Sequence, residues 1–268
     1  MRYALTYYKN NLAGKNIVDR FKELAFNPHI PIIELKKETI YSNIDTKKYP
    51  QLKNIDFLIF ASTHRSKNNV PALTVHTPGN FRGNDLGGEP GKVCKTSALV
   101  VKHLFNELNK KINEEKNRNL KEKYEITMEA THHGPLTDIP CCFVELGCTE
   151  KEFKDKEAAK LLAEMIQTLN NYKENEKWIP TMGIGGPHYT PRFNKLQLSS
   201  NYAIGHIIAE YNLPLTEPII AEAERKTKEQ IKEVIVDWKG CGKAEDRDKT
   251  LEIIKNAGLK VIKTKEVK

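Results

Sequence analysis

Residues 124–147 read YEITMEATHHGPLTDIPCCFVELG, and this stretch decides what kind of fold the chain builds. YEITMEAT (124–131) and CCFVELG (141–147) both read as strands, joined by a turn that carries glycine and proline. The second strand stops at Thr149, which with Glu152 makes a T-x-x-E capping box. That box opens EKEFKDKEAAKLLAEMIQTLNN (150–171) as a helix. A strand feeding a capped helix is the building unit of an α/β protein.

The same alternation extends outward in both directions. RYALTYY (2–8) and IDFLIFAST (55–63) read as strands, with the amphipathic NIVDRFKELAF (16–26) between them. ALTVHT (72–77) leads into the glycine-rich PGNFRGNDLGGEPG (78–91). CKTSALVVKHLFNELNKKINEEKNRN (94–119) then reads as one long helix whose second half is charge and amide and projects into solvent. WIPTMGIGG (178–186) is a further strand, followed by a short helix near NYAIGHIIAEYN (201–212). EAERKTKEQIKEVIVDW (222–238) and RDKTLEIIKNAGLKVIKTK (247–265) read as helices closing on an edge strand. The pattern predicts an α/β fold: a layered mixed sheet with helices on both faces, in one domain over 1–268 with a helical C-terminal subregion at 212–268.

Composition limits the function. Five cysteines, an odd number with no C-x-x-C pair, exclude a zinc ribbon and point to a reduced, cytoplasmic chain. No run approaches the roughly 18 apolar residues that span a bilayer, so no membrane partner is expected. The formal net charge of +8 permits an anionic partner such as tRNA; with 35 Lys and 8 Arg it equally suits a solubilising surface. No RNP aromatics, KH-type GXXG loop or C2H2 spacing mark a standard nucleic-acid module. A monomer is expected.

Histidines carry the functional signal. His64 in ASTHRS, His76 in TVHTPGN, His132 or His133 in EATHHGP and His188 in GIGGPHYTPRF all fall in turns directly after strands. Loops at strand ends are where open α/β sheets bind ligands, so these histidines are expected to share one site. His103 and His206 lie inside helical patterns and read as structural. Alternation along EITMEATHH places Ile126, Met128, Ala130 and His132 on one face. Thr127, Glu129, Thr131 and His133 fall on the other, which is polar throughout and reads as the functional face. His133 is therefore expected to do chemistry, His132 to support it, and Glu129 to act from deeper in the protein. Glu145 interrupts the apolar CCFVELG and needs a metal, a cationic partner or a raised pKa. Histidine and glutamate at strand ends are the donor set that catalytic zinc favours.

ASTHRS, LTVHTPGN, EATHHGP, FVELG followed by TE, and GIGGPHYTPRF, in this order, resemble the D-aminoacyl-tRNA deacylases of the archaeal and plant type. The resemblance runs from the first strand to about residue 210. It implies a phosphorylase/hydrolase-like α/β fold and a cytoplasmic, zinc-dependent esterase. Such an enzyme frees a D-amino acid from the terminal adenosine of aminoacylated tRNA. The residues themselves suggest the roles. His133, Glu145 and His188 would hold zinc (Zn2+) or its water, with His76 as acid–base partner. Amides of the TPGN turn (77–80), which includes Asn80, or of GIGGP (183–187), which includes Gly185 and Gly186, would form the oxyanion pocket. Arg65, Arg82, Lys92 and Arg192 are expected at the phosphates of the CCA end. Two other readings remain: a phosphorylase-like enzyme whose glycine turns cradle phosphate, and a non-catalytic tRNA-binding protein.

Overall fold

The computed structural model describes residues 1–24, 29–84 and 86–267. Its larger sheet has six strands, in the order β2 (Ile32–Leu35), β1 (Tyr3–Tyr8), β3 (Phe57–His64), β8 (Cys141–Gly147), β4 (Ala72–His76) and β7 (Glu125–Met128). All neighbours run parallel except β4 against β8, so the sheet is mixed. The smaller sheet is wholly parallel: β10 (Tyr202–Ile208), β9 (Ile179–Ile184), β11 (Glu233–Val236) and β12 (Lys260–Lys263). A short ribbon of β5 (Gly79–Asn80) and β6 (Lys92–Val93) completes the strands.

The period of two in β3 explains how the larger sheet is covered. Phe57, Ile59 and Ala61 join Cys142, Val144 and Leu146 of β8 on one face. Against it pack α1 (Leu12–Glu23), α2 (Ala98–Ile112) and α5 (Lys156–Gln167). Helix α1 approaches β3 so closely that a Cβ on Gly14 would lie 2.3 Å from the Ala61 carbonyl oxygen. The other face begins apolar, with Leu58 beside Cys141 and Phe60 stacked on Phe143 at 4.9 Å. It then turns polar, because the next register pair is Ser62 with Glu145, followed by His64. Irregular segments and short 3-10 turns rather than α-helices cover that face, contributing Ile44, Leu52 and Ile139 to its core. Helices do flank both faces of the smaller sheet. On one side are α7 (Glu217–Arg225) and α8 (Ala244–Asn256), and on the other α6 (Pro191–Ser199) and Phe105 of α2. Met128 and Ala130 pack in the same cluster as Ile204, Ile207 and Ile235, which joins the two sheets.

The α/β class and the mixed sheet are as the sequence predicts, and several elements differ. Residues 201–212 form β10, not a helix. Its continuous apolar run is what a parallel strand buried on both faces requires, and periodicity cannot tell such a run from a helix. The stretch at 222–238 ends one helix, α7, and then forms β11, whose Val234, Ile235 and Val236 are fully buried and β-branched. The C-terminal part is therefore not a helical subregion from 212 but an α/β unit whose sheet reaches back to residue 179. The long helix expected at 94–119 starts at Ala98, capped by the Ser97 side chain, and stops at Ile112. There the amides of Asn113 and Asn117 donate back to the Asn109 and Lys111 carbonyls, and a short α3 (Arg118–Lys123) follows. The capping box forms as expected, with Glu152 accepting from Thr149 N at 3.1 Å. Its helix is only α4 (Glu150–Phe153), since Asp155 caps α5 as a separate helix. The first helix begins earlier than predicted, and the end of its predicted range, 25–26, lies outside the described residues. No helix among the described residues is long and apolar enough to cross a membrane.

Phe143 is the hinge of the second face, stacked between Phe60 and, at 5.2 Å, His76. Phe143→Ala is expected to destabilise the protein by about 3–5 kcal/mol, because the fully buried ring leaves a cavity. Denaturant unfolding checks this, and a loss below about 1 kcal/mol would contradict the packing described.

Candidate active site

The polar half of that sheet face is the floor of a cleft of about 680 Å³. His64 ends β3, His76 ends β4, and Glu145 sits within β8 beside Ser62. Glu129, His132 and His133 follow β7, while His188 and Tyr189 follow β9 of the smaller sheet. The site therefore lies where the two sheets meet.

Glu129 is its centre. Its Oε2 lies 3.0 Å from His188 Nε2 and 3.7 Å from His132 Nε2. Its Oε1 lies 3.2 Å from His64 Nδ1 and 3.5 Å from His76 Nδ1. Burial alone would raise this carboxyl, yet the imidazoles of His76, His188 and His64 hold it well below the usual carboxylate range. Burial by itself lowers the His64 imidazole, but its ion pairing with Glu129 and Glu145, 3.2 and 3.8 Å away, prevails and raises its pKa to about 10. His64 is thus an imidazolium between two carboxylates. Glu145 is pushed up to about 7, chiefly by burial, with His64 opposing the shift and the Glu129 charge adding to it.

The adjacent histidines reach the same cluster by a backbone turn. The strand ends at Met128, because Ala130 N and Thr131 N donate to the His188 and Ile207 carbonyls instead of continuing the ladder. His133 then takes a left-handed φ of 44°, which a β-carbon disfavours, and Gly134 follows. A Cβ on Gly134 would lie 2.3 Å from the Ile40 carbonyl oxygen, so only glycine fits there. Nδ1 of His132 donates to the Ala130 carbonyl at 2.8 Å, and Nδ1 of His133 donates to the Gly134 carbonyl at 2.6 Å. Each imidazole therefore presents its Nε2 lone pair to the site. One faces a carboxylate oxygen of Glu129 and the other faces His76 Nε2 at 3.3 Å. Burial pushes all three of these imidazoles down, His133 to about 4, so they are neutral at pH 7.

Lone pairs directed at a carboxylate and at one another are the arrangement a cation satisfies. Three sets of donor atoms converge: His76, His132 and His133; Glu129, His132 and His188; and His64, Glu129 and Glu145. Two buried atoms, Glu129 Oε1 and His76 Nδ1, also lack a hydrogen-bond partner. The donor set fits a metal, and zinc in particular takes neutral imidazole and carboxylate.

Several expectations need correction. His133, Glu145 and His188 do not form one donor set but are divided among the three. Glu129 is central rather than a deeper support, and His132 stands in the cluster as fully as His133. Thr131 leaves the site: its hydroxyl contacts His206 Nδ1 at 3.2 Å and accepts from Ile207 N. His206 is on β10 rather than in a helix, while His103 is on α2 as predicted, 2.8 Å from the Thr168 hydroxyl. The glycine amides do not line an oxyanion pocket. Gly79 N donates to the carbonyls of His132 and His133, Gly185 N to Ile208, and Gly186 N to Gly240. Asn80 is structural, its amide donating to the Gly87 carbonyl at 2.7 Å. Of the four cations, Arg65 borders the cleft, over the Phe153 ring at 5.1 Å. Arg82 is bound to the Asn212 and Pro214 carbonyls, Arg192 to Asp237, and Lys92 borders a separate groove with Asp138 and Lys226.

Sequence reasoning missed two tyrosines. Tyr211 Oη lies 3.1 Å from His188 Nδ1, and Tyr189 Oη lies 3.5 Å from His64 Nε2. Tyr189 adjoins His188 in a motif turn and was open to detection; Tyr211 carries no local signal. Because Glu129 supports the His64 charge, Glu129→Gln is expected to lower the His64 pKa from about 10 toward 6.5, as read by NMR titration of the imidazole. An unchanged value would mean that Glu145 alone holds the proton there.

The family model for D-aminoacyl-tRNA deacylase matches residues 51–262. A D-aminoacyl-tRNA deacylase of Methanocaldococcus jannaschii is 31% identical over 264 residues, covering 97% of this chain and 98% of the relative. One from Caldivirga maquilingensis is 34% identical over 252 residues, covering 91% and 90%. A crystal structure of a conserved protein of unknown function superposes with a TM-score of 0.88 at 30% identity, covering 99% of this chain and 96% of that one. On the family match and these relatives, the chain belongs to the D-aminoacyl-tRNA deacylase family.

Proposed function

We propose that the protein hydrolyses the ester joining a D-amino acid to the 3′-terminal adenosine of tRNA, releasing free D-amino acid and free tRNA, with zinc bound in the Glu129 cluster. The observation that carries the reading is the convergence of five imidazoles and two carboxylates at the end of one cleft, in a chain of this family.

His132 would hold the metal together with Glu129 and His188 on one side, or with His76 and His133 on the other. When bound, zinc acts as a Lewis acid that polarises the ester carbonyl and acidifies water. The chain's own groups do the rest. The carbonyls of Ala130 and Gly134 fix the tautomers of His132 and His133, and Tyr211 holds the His188 ring in its orientation. Glu145 titrates near neutrality and is the group to take the proton of the attacking water. Water oxygen bonds to the carbonyl carbon, the bond to the ribose oxygen breaks, and Glu145 returns the proton to that oxygen. Arg65 at the cleft edge is placed for a phosphate of the CCA end.

The phosphorylase-like alternative loses support because the glycine amides it would use already donate within the chain. The non-catalytic alternative is separated by assay. Purified protein is expected to release D-tyrosine from D-tyrosyl-tRNA while sparing L-tyrosyl-tRNA; binding without release would sink the hydrolase reading. His132→Ala should lower bound zinc, measured by mass spectrometry, and reduce kcat/KM about a hundredfold or more. Full activity in a metal-free preparation would refute the zinc assignment.

A further inference from the structure

The cleft has a carboxylate that the imidazole cluster does not involve. Glu38 lies half-buried on the cleft wall with Asn11, Ile40 and Ser62. Its Oε1 accepts from the Asn11 amide at 2.9 Å and from Thr39 N at 3.1 Å, both neutral donors. The other carboxylates of the cleft have basic partners: Glu129 and Glu145 have imidazoles, and Glu150 has Lys154. Among the described residues Glu38 has no such ion pair.

Its position relative to the cluster is fixed from two sides. Asn11 caps α1, accepting from Gly14 N and from the Thr63 hydroxyl, so its amide is locked toward Glu38 and, at 3.4 Å, the Ser62 hydroxyl. Ser62 is the register partner of Glu145. The Ile40 carbonyl packs on Gly134, which clamps the segment that follows Glu38 against the His132–His133 turn. Glu38 thus lines the same cleft as the cluster and is tied to it through Asn11 and Ser62.

An aminoacyl ester carries one cation whatever its side chain: the α-ammonium, two bonds from the reacting carbonyl carbon. We propose that Glu38 is the binding subsite for this α-ammonium group, and through it a determinant of which enantiomer is cleaved. The proposal rests on the deacylase reading. A carboxylate held only by neutral donors has no cationic partner of its own, and an ammonium supplies charge-assisted hydrogen bonds. With the carbonyl at the cluster and the ammonium at Glu38, Cα has two positions left, which the cleft walls make unequal. D and L substrates exchange hydrogen and side chain between them, so pinning the ammonium converts handedness into a steric difference.

The test compares D-tyrosyl-tRNA with N-acetyl-D-tyrosyl-tRNA, whose nitrogen is uncharged. Wild type should favour the free amine, and Glu38→Gln should lower kcat/KM on it by about tenfold to a hundredfold, the value of a hydrogen bond between charged groups. Loss on the acetylated substrate should stay within about twofold, because that substrate never had the interaction. Gln keeps the acceptor for Asn11 and Thr39, and Glu38→Asp, which keeps the charge, should retain the preference for the free amine. Equal loss on both substrates with Glu38→Asp also indifferent to acetylation, or no loss on the free amine, overturns the subsite. Wild type that cleaves neither substrate overturns the deacylase reading and the subsite with it.

Discussion

An ionised carboxylate almost wholly removed from water is the constraint around which this protein is built. Glu129 is 3% exposed, and burying such a charge without compensation is costly. Compensation comes chiefly from the His64 imidazolium at the end of β3 and from His188 in the loop after β9. Neither of these segments can move far without leaving the charge exposed to an apolar surround. The early end of β7, the left-handed backbone at His133 and the tight packing of Gly134 on Ile40 all deliver imidazoles to one cluster. Local strain at a site that the surroundings hold in place is the expected pattern for a preorganised centre.

The cleft lies on a sheet face as much as at strand tips. Along β3 and β8 the same face passes from Leu58 and Cys141 through the Phe60–Phe143 stack to Ser62 and Glu145. The rigid aromatic layer sits directly beneath the reactive one, with His76 stacked on Phe143. Side chains whose rotamers are fixed by such packing hold catalytic geometry better than loop residues do. Irregular cover on this face also leaves room for a cleft, which helices packed against a flat sheet would close.

Much of this was legible in the chain. Strands with short apolar runs and the Thr149–Glu152 box were readable because local chemistry dictates them. The gathering of these histidines followed from their places at strand ends: His64 and His76 close β3 and β4, and His132, His133 and His188 come just after β7 and β9. β10 and β11 were misread because a strand buried on both faces loses its alternation. The order of importance within the site was hidden for a related reason. Strict alternation assigned His132 and Glu129 to opposite faces, but the strand had already ended at Met128. Tyr211 and Glu38 were invisible because their partners lie 23 and 27 positions away. Only the folded sheets bring those pairs together.

The origin of His188 in the smaller sheet has a consequence for synthesis. A chain emerging from the ribosome can form the helix-covered face of the larger sheet from its first two-thirds. Glu129 then waits in a half-built socket, since the residue 3.0 Å from its Oε2 is not yet made. The strand before His188, β9, pairs with β10 and β11, which must be made before it has both neighbours. The set of Glu129, His132 and His188 is therefore completed only at the close of translation, and a fragment ending before residue 179 lacks one of its donors.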